Sequence, residues 1–132
     1  MNENPYKEAI RYIENAEEVL KKAGKEGKFY KDEKYVKAAC GIAYSGALKA
    51  LDLLFDIKTL PKRKGRKSIQ YYQATLTVID KKLLDHLNSV YHALHLDGYY
   101  DGERSVSIIN GGFDHAISII SALKPYSRNG RK

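Results

Sequence analysis

Apolar residues recur at helical spacing along every long segment of this chain. No segment alternates apolar and polar residues for long enough to make a strand. Tyr6, Ala9, Ile13, Ala16, Leu20 and Ala23 form one stripe, and Val36, Ala39, Ala43, Ala47, Ala50, Leu54 and Ile57 a second. Ile69, Tyr72, Leu76, Ile79, Leu83, Leu87, Val90 and Leu94 keep the period over a third segment, and Ile108, Gly112, Ala116, Ile119 or Ile120, and Leu123 over a fourth. A stripe of this kind is stable only when covered by another. The pattern therefore predicts an all-α fold, a single-domain up-and-down bundle of four to five helices. It spans residues 1–125, with a basic loop at 58–67 and a flexible basic tail at 126–132.

The punctuation agrees with the stripes. Asn4 is an N-cap and Pro5 suits the first helical position, where its missing N–H costs nothing. Gly24 offers the first helix a stop, and "GKEGKFYK" reads as a loop. Asp32 caps a second helix that runs to about Ile57, before Pro61 opens the basic loop. Its middle, "AACGIAYSGALKA", is dense in small residues that let a neighbour approach, so this helix is expected to be the central one. The third stripe is long, but the β-branched run "TLTVI" and the capping residue Asp80 predict two helices meeting near Asp80. The second of these is expected to end at Gly98 in a left-handed conformation, with Asp101 capping the helix that follows. Gly111 and Gly112 interrupt no stripe, so both read as close-packing positions inside a helix, each costing roughly 1 kcal/mol against alanine.

A chain of 132 residues with formal net charge +7 raises nucleic acid as a partner, but the charge is local. Lys58, Lys62, Arg63, Lys64, Arg66 and Lys67 crowd one loop, and Lys124, Arg128, Arg131 and Lys132 the end of the chain. These ten cations exceed the net charge, so the remainder sums to −3. A cationic segment attracts phosphate backbones without reading sequence. The single cysteine, Cys40, excludes an internal disulfide and reads as a small core residue. The charged N-terminus has no signal-peptide run, and no apolar run approaches the roughly 18 residues of a membrane span. A cytoplasmic location is expected.

Four histidines and eleven tyrosines, with no tryptophan, carry what chemistry the sequence offers. His92 and His95 lie three apart and share a helix face, but His86, Asp97 or His115 could supply a third ligand only through tertiary contact and no glutamate general base is nearby, so neither metal nor cofactor is expected. Asp85-His86 and Asp114-His115 are adjacent pairs that diverge by about 100° on a helix and make poor dyads. Tyr71 and Tyr72 follow "KRKGRK" directly. With Lys62, Arg63, Lys64, Arg66 and Lys67 for phosphates, they could stack unpaired bases. Tyr91, His95, Tyr99 and Tyr100 sit toward another helix end, where a phenol buries its ring and keeps its hydroxyl wet, and they are interface candidates.

The order of features resembles HEPN-type domains, small helical bundles. "YKEAIRYIENAEEVLKKA" and "YKDEKYVKAACGIAYSGALKALDLLF" are similar to that family's first two helices, and "VYHALHLDGYYDGERSVSIINGGFDHAISII" to its last two. Many members are metal-independent ribonucleases that act as homodimers through an Arg followed four to six residues later by His. That motif is absent here: Leu94 stands where the arginine would be, and Tyr99 or Tyr100 near the histidine position. Arg104 and His115, the displaced alternative, are eleven residues apart, about 16 Å along a helix, too far to act on one phosphate within a subunit.

The resemblance without its motif implies a non-catalytic bundle. It would work by protein association, as a homodimer or as partner of a toxin–antitoxin or nucleotidyltransferase-type protein. A nucleic-acid-binding module led by the basic loop is the alternative, and a ribonuclease using Arg104 and His115 a further one.

Overall fold

The computed structural model describes residues 4–62 and 65–127. Among them are five α-helices: α1 (Pro5–Lys21), α2 (Glu33–Ile57), α3 (Ile69–Ile79), α4 (Lys81–Val90) and α5 (Val106–Ser121). Ten residues of π-helix, Tyr91–Tyr100, continue α4 without a break, and a 3-10 turn, Lys124–Tyr126, follows α5. The expectation of an all-α bundle holds at this level.

The caps explain most boundaries. Asn4 Oδ1 accepts from the Lys7 amide at 2.9 Å and Pro5 opens α1. Asp32 Oδ1 accepts from the Lys34 amide at 3.0 Å, starting α2, which runs to Ile57 as its stripe predicts. Asp80 separates α3 from α4. Its backbone is extended, its amide donates to the Leu76 carbonyl and its carboxylate accepts from the Leu83 amide at 3.0 Å, so one residue closes a helix and opens the next.

Five expectations are corrected. The loop after α1 contains a small antiparallel hairpin, β1 (Lys25–Glu26) with β2 (Phe29–Tyr30), too short to leave a period-two signature. Segment 104–106 pairs alongside it: the Tyr30 amide donates to the Arg104 carbonyl and the Val106 amide to the Lys28 carbonyl. Asp101 does not cap α5; Ser105 does, its hydroxyl accepting from the Ile108 amide. Of the two glycines inside α5, only Gly112 is a packing position, with Leu94 and Ala93 where a Cβ would go, whereas Gly111 faces open space. The α5 stripe also enters the core through Ile109, while Ile108 is exposed.

The fifth correction concerns Gly98. It is neither the end of a helix nor left-handed: it is buried within the π-helix against α2, where a Cβ would lie 2.4 Å from Cys40 Sγ. The left-handed residue is Gly102, at φ +70°, and Glu33 fills the space beside it.

The core has α2 at its centre, with Ala39, Cys40, Ala43, Ala47 and Leu51 fully buried. Ala9, Ile13 and Ala16 of α1 meet it on one side, and Leu94, Ile109, Ala116 and Ile119 on others. Burial pushes the Cys40 thiol up to about 12, which leaves it a small core residue without a thiolate at neutral pH. By length and hydropathy alone, α2 and the stretch Val106–Tyr126 would suffice to cross a membrane. Half of the apolar stretch of α2 and 39% of the other are buried inside the bundle.

Candidate functional site

The π-helix organises the most distinctive surface of the molecule. An i→i+5 pattern winds more than four residues into each turn. Tyr91, His95 and the pair Tyr99 and Tyr100, spaced by four or five, therefore fall in one column. In an α-helix, a residue five positions on is turned away by about 140°, so Tyr100 would leave His95. The wider register is visible at its end, where the Asp101 amide donates to the Leu96 carbonyl at 3.0 Å.

His95 stands at the middle of this column. Its ring stacks on Tyr44 of α2 at 4.6 Å between centroids, on Tyr91 at 5.2 Å, and on Tyr99 at 6.1 Å with only 8° between planes. Tyr100 meets it edge-on at 5.0 Å. Burial among these rings lowers the His95 pKa and keeps the imidazole neutral. Burial, and then neighbouring Tyr91, push the Tyr44 phenol up to about 12. Neither group carries charge near neutral pH. Tyr99 and Tyr100 remain 46% and 62% exposed.

Beside the column lies an open cleft of about 460 Å³. Its floor is Ala38, Gly41 and Ser45 of α2, and its walls are Tyr12 of α1 with Tyr44, His95 and Tyr99. The small floor residues are the ones that made α2 look central, and here they also keep the space open. Tyr91, His95, Tyr99 and Tyr100 were thus legible as a group; Tyr44 and Tyr12 were not, because only tertiary packing brings them in. His92, on the same helix, is exposed and outside the cluster.

The basic loop is arranged differently. Lys67 Nζ donates to Asp52 Oδ1 at 2.9 Å, and Lys62 lies 3.8 Å from Asp56, so α2 supplies an acid to each. Tyr72 is buried, and its hydroxyl donates to the same Asp52 oxygen at 3.0 Å. It is therefore no stacking platform, which corrects the expectation for it. Burial, then the Asp52 carboxylate, raise its pKa. Tyr71 is half-buried, packed edge-on against Phe55 and Tyr72. Arg66 is exposed, while Arg63 and Lys64 fall outside the described residues, as do Arg128, Arg131 and Lys132.

Arg104 and His115 have separate engagements. Arg104 Nη1 donates to the Tyr30 carbonyl at 3.2 Å, tying the hairpin to the start of α5. His115 Nδ1 lies 2.9 Å from His86 Nδ1 of α4, a pairing that adjacent-residue reasoning about the two Asp-His dipeptides missed. Among the described residues, no three His, Cys, Asp or Glu side chains are grouped to hold a metal.

Fold and surface together define a small all-α bundle with one aromatic, uncharged face. Residues 4–124 match the family described as "Domain of unknown function (DUF5618)", and the chain belongs to that family. It is similar to a solved protein of unknown function from Dyadobacter fermentans, at 43% identity over 92% of this chain and 94% of that one, with a TM-score of 0.83. No curated protein matches the chain.

Proposed function

We propose that this protein is a non-catalytic, HEPN-like association module whose contact surface is the aromatic column and its cleft, and that the first partner of this surface is a second copy of the chain. The observation that carries the reading is the column itself. Two half-to-mostly exposed tyrosines are held in fixed orientation by stacking on a neutral imidazole, beside an open, mostly apolar cleft. Tyrosine is the residue type that anchors interfaces, because a rigid ring contributes area at little entropic cost while its hydroxyl tolerates water. The absence of charge on the column removes the desolvation cost that would oppose covering it.

The nucleic-acid reading has weaker support, since the acids of α2 stand beside Lys62 and Lys67 and Tyr72 is buried. Ribonuclease chemistry has less, since Arg104 and His115 contact different elements. A location in the cytoplasm fits this reading.

Light scattering across a wide concentration range tests the proposal. The expected mass is that of two chains, falling toward one chain when Tyr99 and Tyr100 are both replaced by alanine. A mass of one chain at every concentration removes the homodimer. Fluorescence anisotropy with single-stranded RNA at low and moderate salt tests the alternative. A signal that weakens steeply with salt would move the basic loop to the centre.

A further inference from the structure

His86 of α4 and His115 of α5 approach with their Nδ1 atoms 2.9 Å apart. The ring centroids are 5.2 Å apart, which is the nitrogen–nitrogen distance plus one ring radius at each end. The two imidazoles therefore meet head-on, lone-pair direction to lone-pair direction. That geometry decides between two uses of a histidine pair. A metal ion held by both nitrogens sits about 2.0–2.1 Å from each, and both lone pairs must converge on a third point. Here they converge on each other, which is the arrangement of an N–H···N hydrogen bond. It requires one Nδ1 to be protonated and the other bare.

We propose that His86 and His115 share one proton across the α4–α5 contact and form an acid-labile latch: they hold one proton between their Nδ1 atoms and separate when both rings become charged. One added proton leaves the bond in place, with a positive ring donating to the other's bare Nδ1. When both rings are charged the hydrogen bond has no acceptor, and two positive rings face each other at hydrogen-bond distance in a half-buried site. The packing around the pair gives little to offset that repulsion. On α4, Lys82 opposes a positive charge on His86, while Asp85 and the cap residue Asp80 favour it. The Asp80 carboxylate is already engaged by the Leu83 amide. On α5 the neighbouring acid, Asp114, is exposed, and Ile117, Ser118 and Ser121 line the rest of the site with no charge. The helix packed behind α4, α3, carries no charged residue at all. Burial first, and His115 second, lower the His86 pKa, in the direction the geometry requires.

The sign follows from proton linkage. A histidine whose folded pKa lies below its unfolded value stabilises the fold above the unfolded value, near 6.5. That contribution is lost as pH falls through the folded one. The latch thus holds at neutral pH and opens as pH falls through the lower of the pair's two proton-binding steps.

NMR titration of the imidazole resonances tests the shared proton, with His115→Asn and His86→Asn as the variants. Asparagine places an amide atom where Nδ1 was and removes one titrating group. The expected result is that both rings in the parent protein report the same two steps, more than about tenfold apart in proton affinity. The ring left in each variant should show a single step. Two independent single steps in the parent protein, unchanged in the variants, would overturn the pairing. Thermal unfolding between pH 7.5 and pH 5 (both roughly within the histidine range) tests the latch. Each asparagine variant should lose part of the acid-induced fall in Tm, and a fall of the same size in both variants would overturn it.

Discussion

Two regions of this protein look alike as sequence and are opposite as structure. Tyr71-Tyr72 and Tyr99-Tyr100 are both adjacent tyrosine pairs near helix ends. In the first, Tyr72 is buried at the foot of α3 with its hydroxyl on Asp52, and Tyr71 packs edge-on beside it. In the second, both rings stay exposed and flank a histidine. The difference lies in what the opposing helix offers. Toward α3, α2 presents Asp52 and Phe55, an acid to bond a phenol and an aromatic to cover its ring. Toward the π-helix, it presents Tyr44 to the histidine but only Ala38, Gly41 and Ser45 beside Tyr99, residues too small to cover a phenol ring. A tyrosine pair is thus structural or available according to the residues across from it.

That contrast is most easily broken by truncation. Tyr72→Ala should cost about 3 kcal/mol or more in denaturant unfolding, because it empties a buried aromatic site. Tyr100→Ala should change stability by less than about 0.5 kcal/mol. Equal losses at the two positions would dissolve the distinction. Gly98→Ala comes next: a methyl pushed against Cys40 Sγ should lower stability by about 1–3 kcal/mol, with part recovered when Cys40 is also made alanine. A neutral Gly98→Ala would mean that the π-helix stands further from α2 than described.

Tyr72→Phe is smaller, about 1 kcal/mol, for the lost bond to Asp52. Tyr99→Phe should be silent in the same assay. The smallest effect is electrostatic. Asp52→Asn leaves Lys67 without its carboxylate, so any affinity of the loop for single-stranded RNA should rise at low salt and vanish at moderate salt.

The sequence carried the helical layout well, because capping side chains and apolar spacing are local. Asn4, Asp32 and Asp80 could be named as boundaries before any packing was known, and α2 could be named as central from its alanines. What failed was tertiary in origin. Gly98 resembles a helix stop until Cys40 is seen opposite, and Asp101 resembles a cap until the hairpin carries the chain on to Ser105. The π register left no mark in the apolar stripe, since Leu94 and Gly98 are four apart in either helix type. Of the site, the four residues on one helix were visible together. Tyr44, Tyr12 and the His86–His115 pair each depend on a contact between helices that spacing along one chain cannot encode.

The tyrosine column has an optical consequence as well. With eleven tyrosines and no tryptophan, all strong near-ultraviolet absorption in this protein belongs to phenol rings. Tyr44, Tyr91, Tyr99 and Tyr100 gather around one imidazole at fixed mutual angles, so their transitions are coupled in a chiral arrangement. Near-ultraviolet circular dichroism is then a built-in gauge of that face. Its signal should change when a partner covers the column, with no label attached to either molecule, and Tyr99→Phe with Tyr100→Phe separates the column's share from that of the Tyr71–Tyr72 pair.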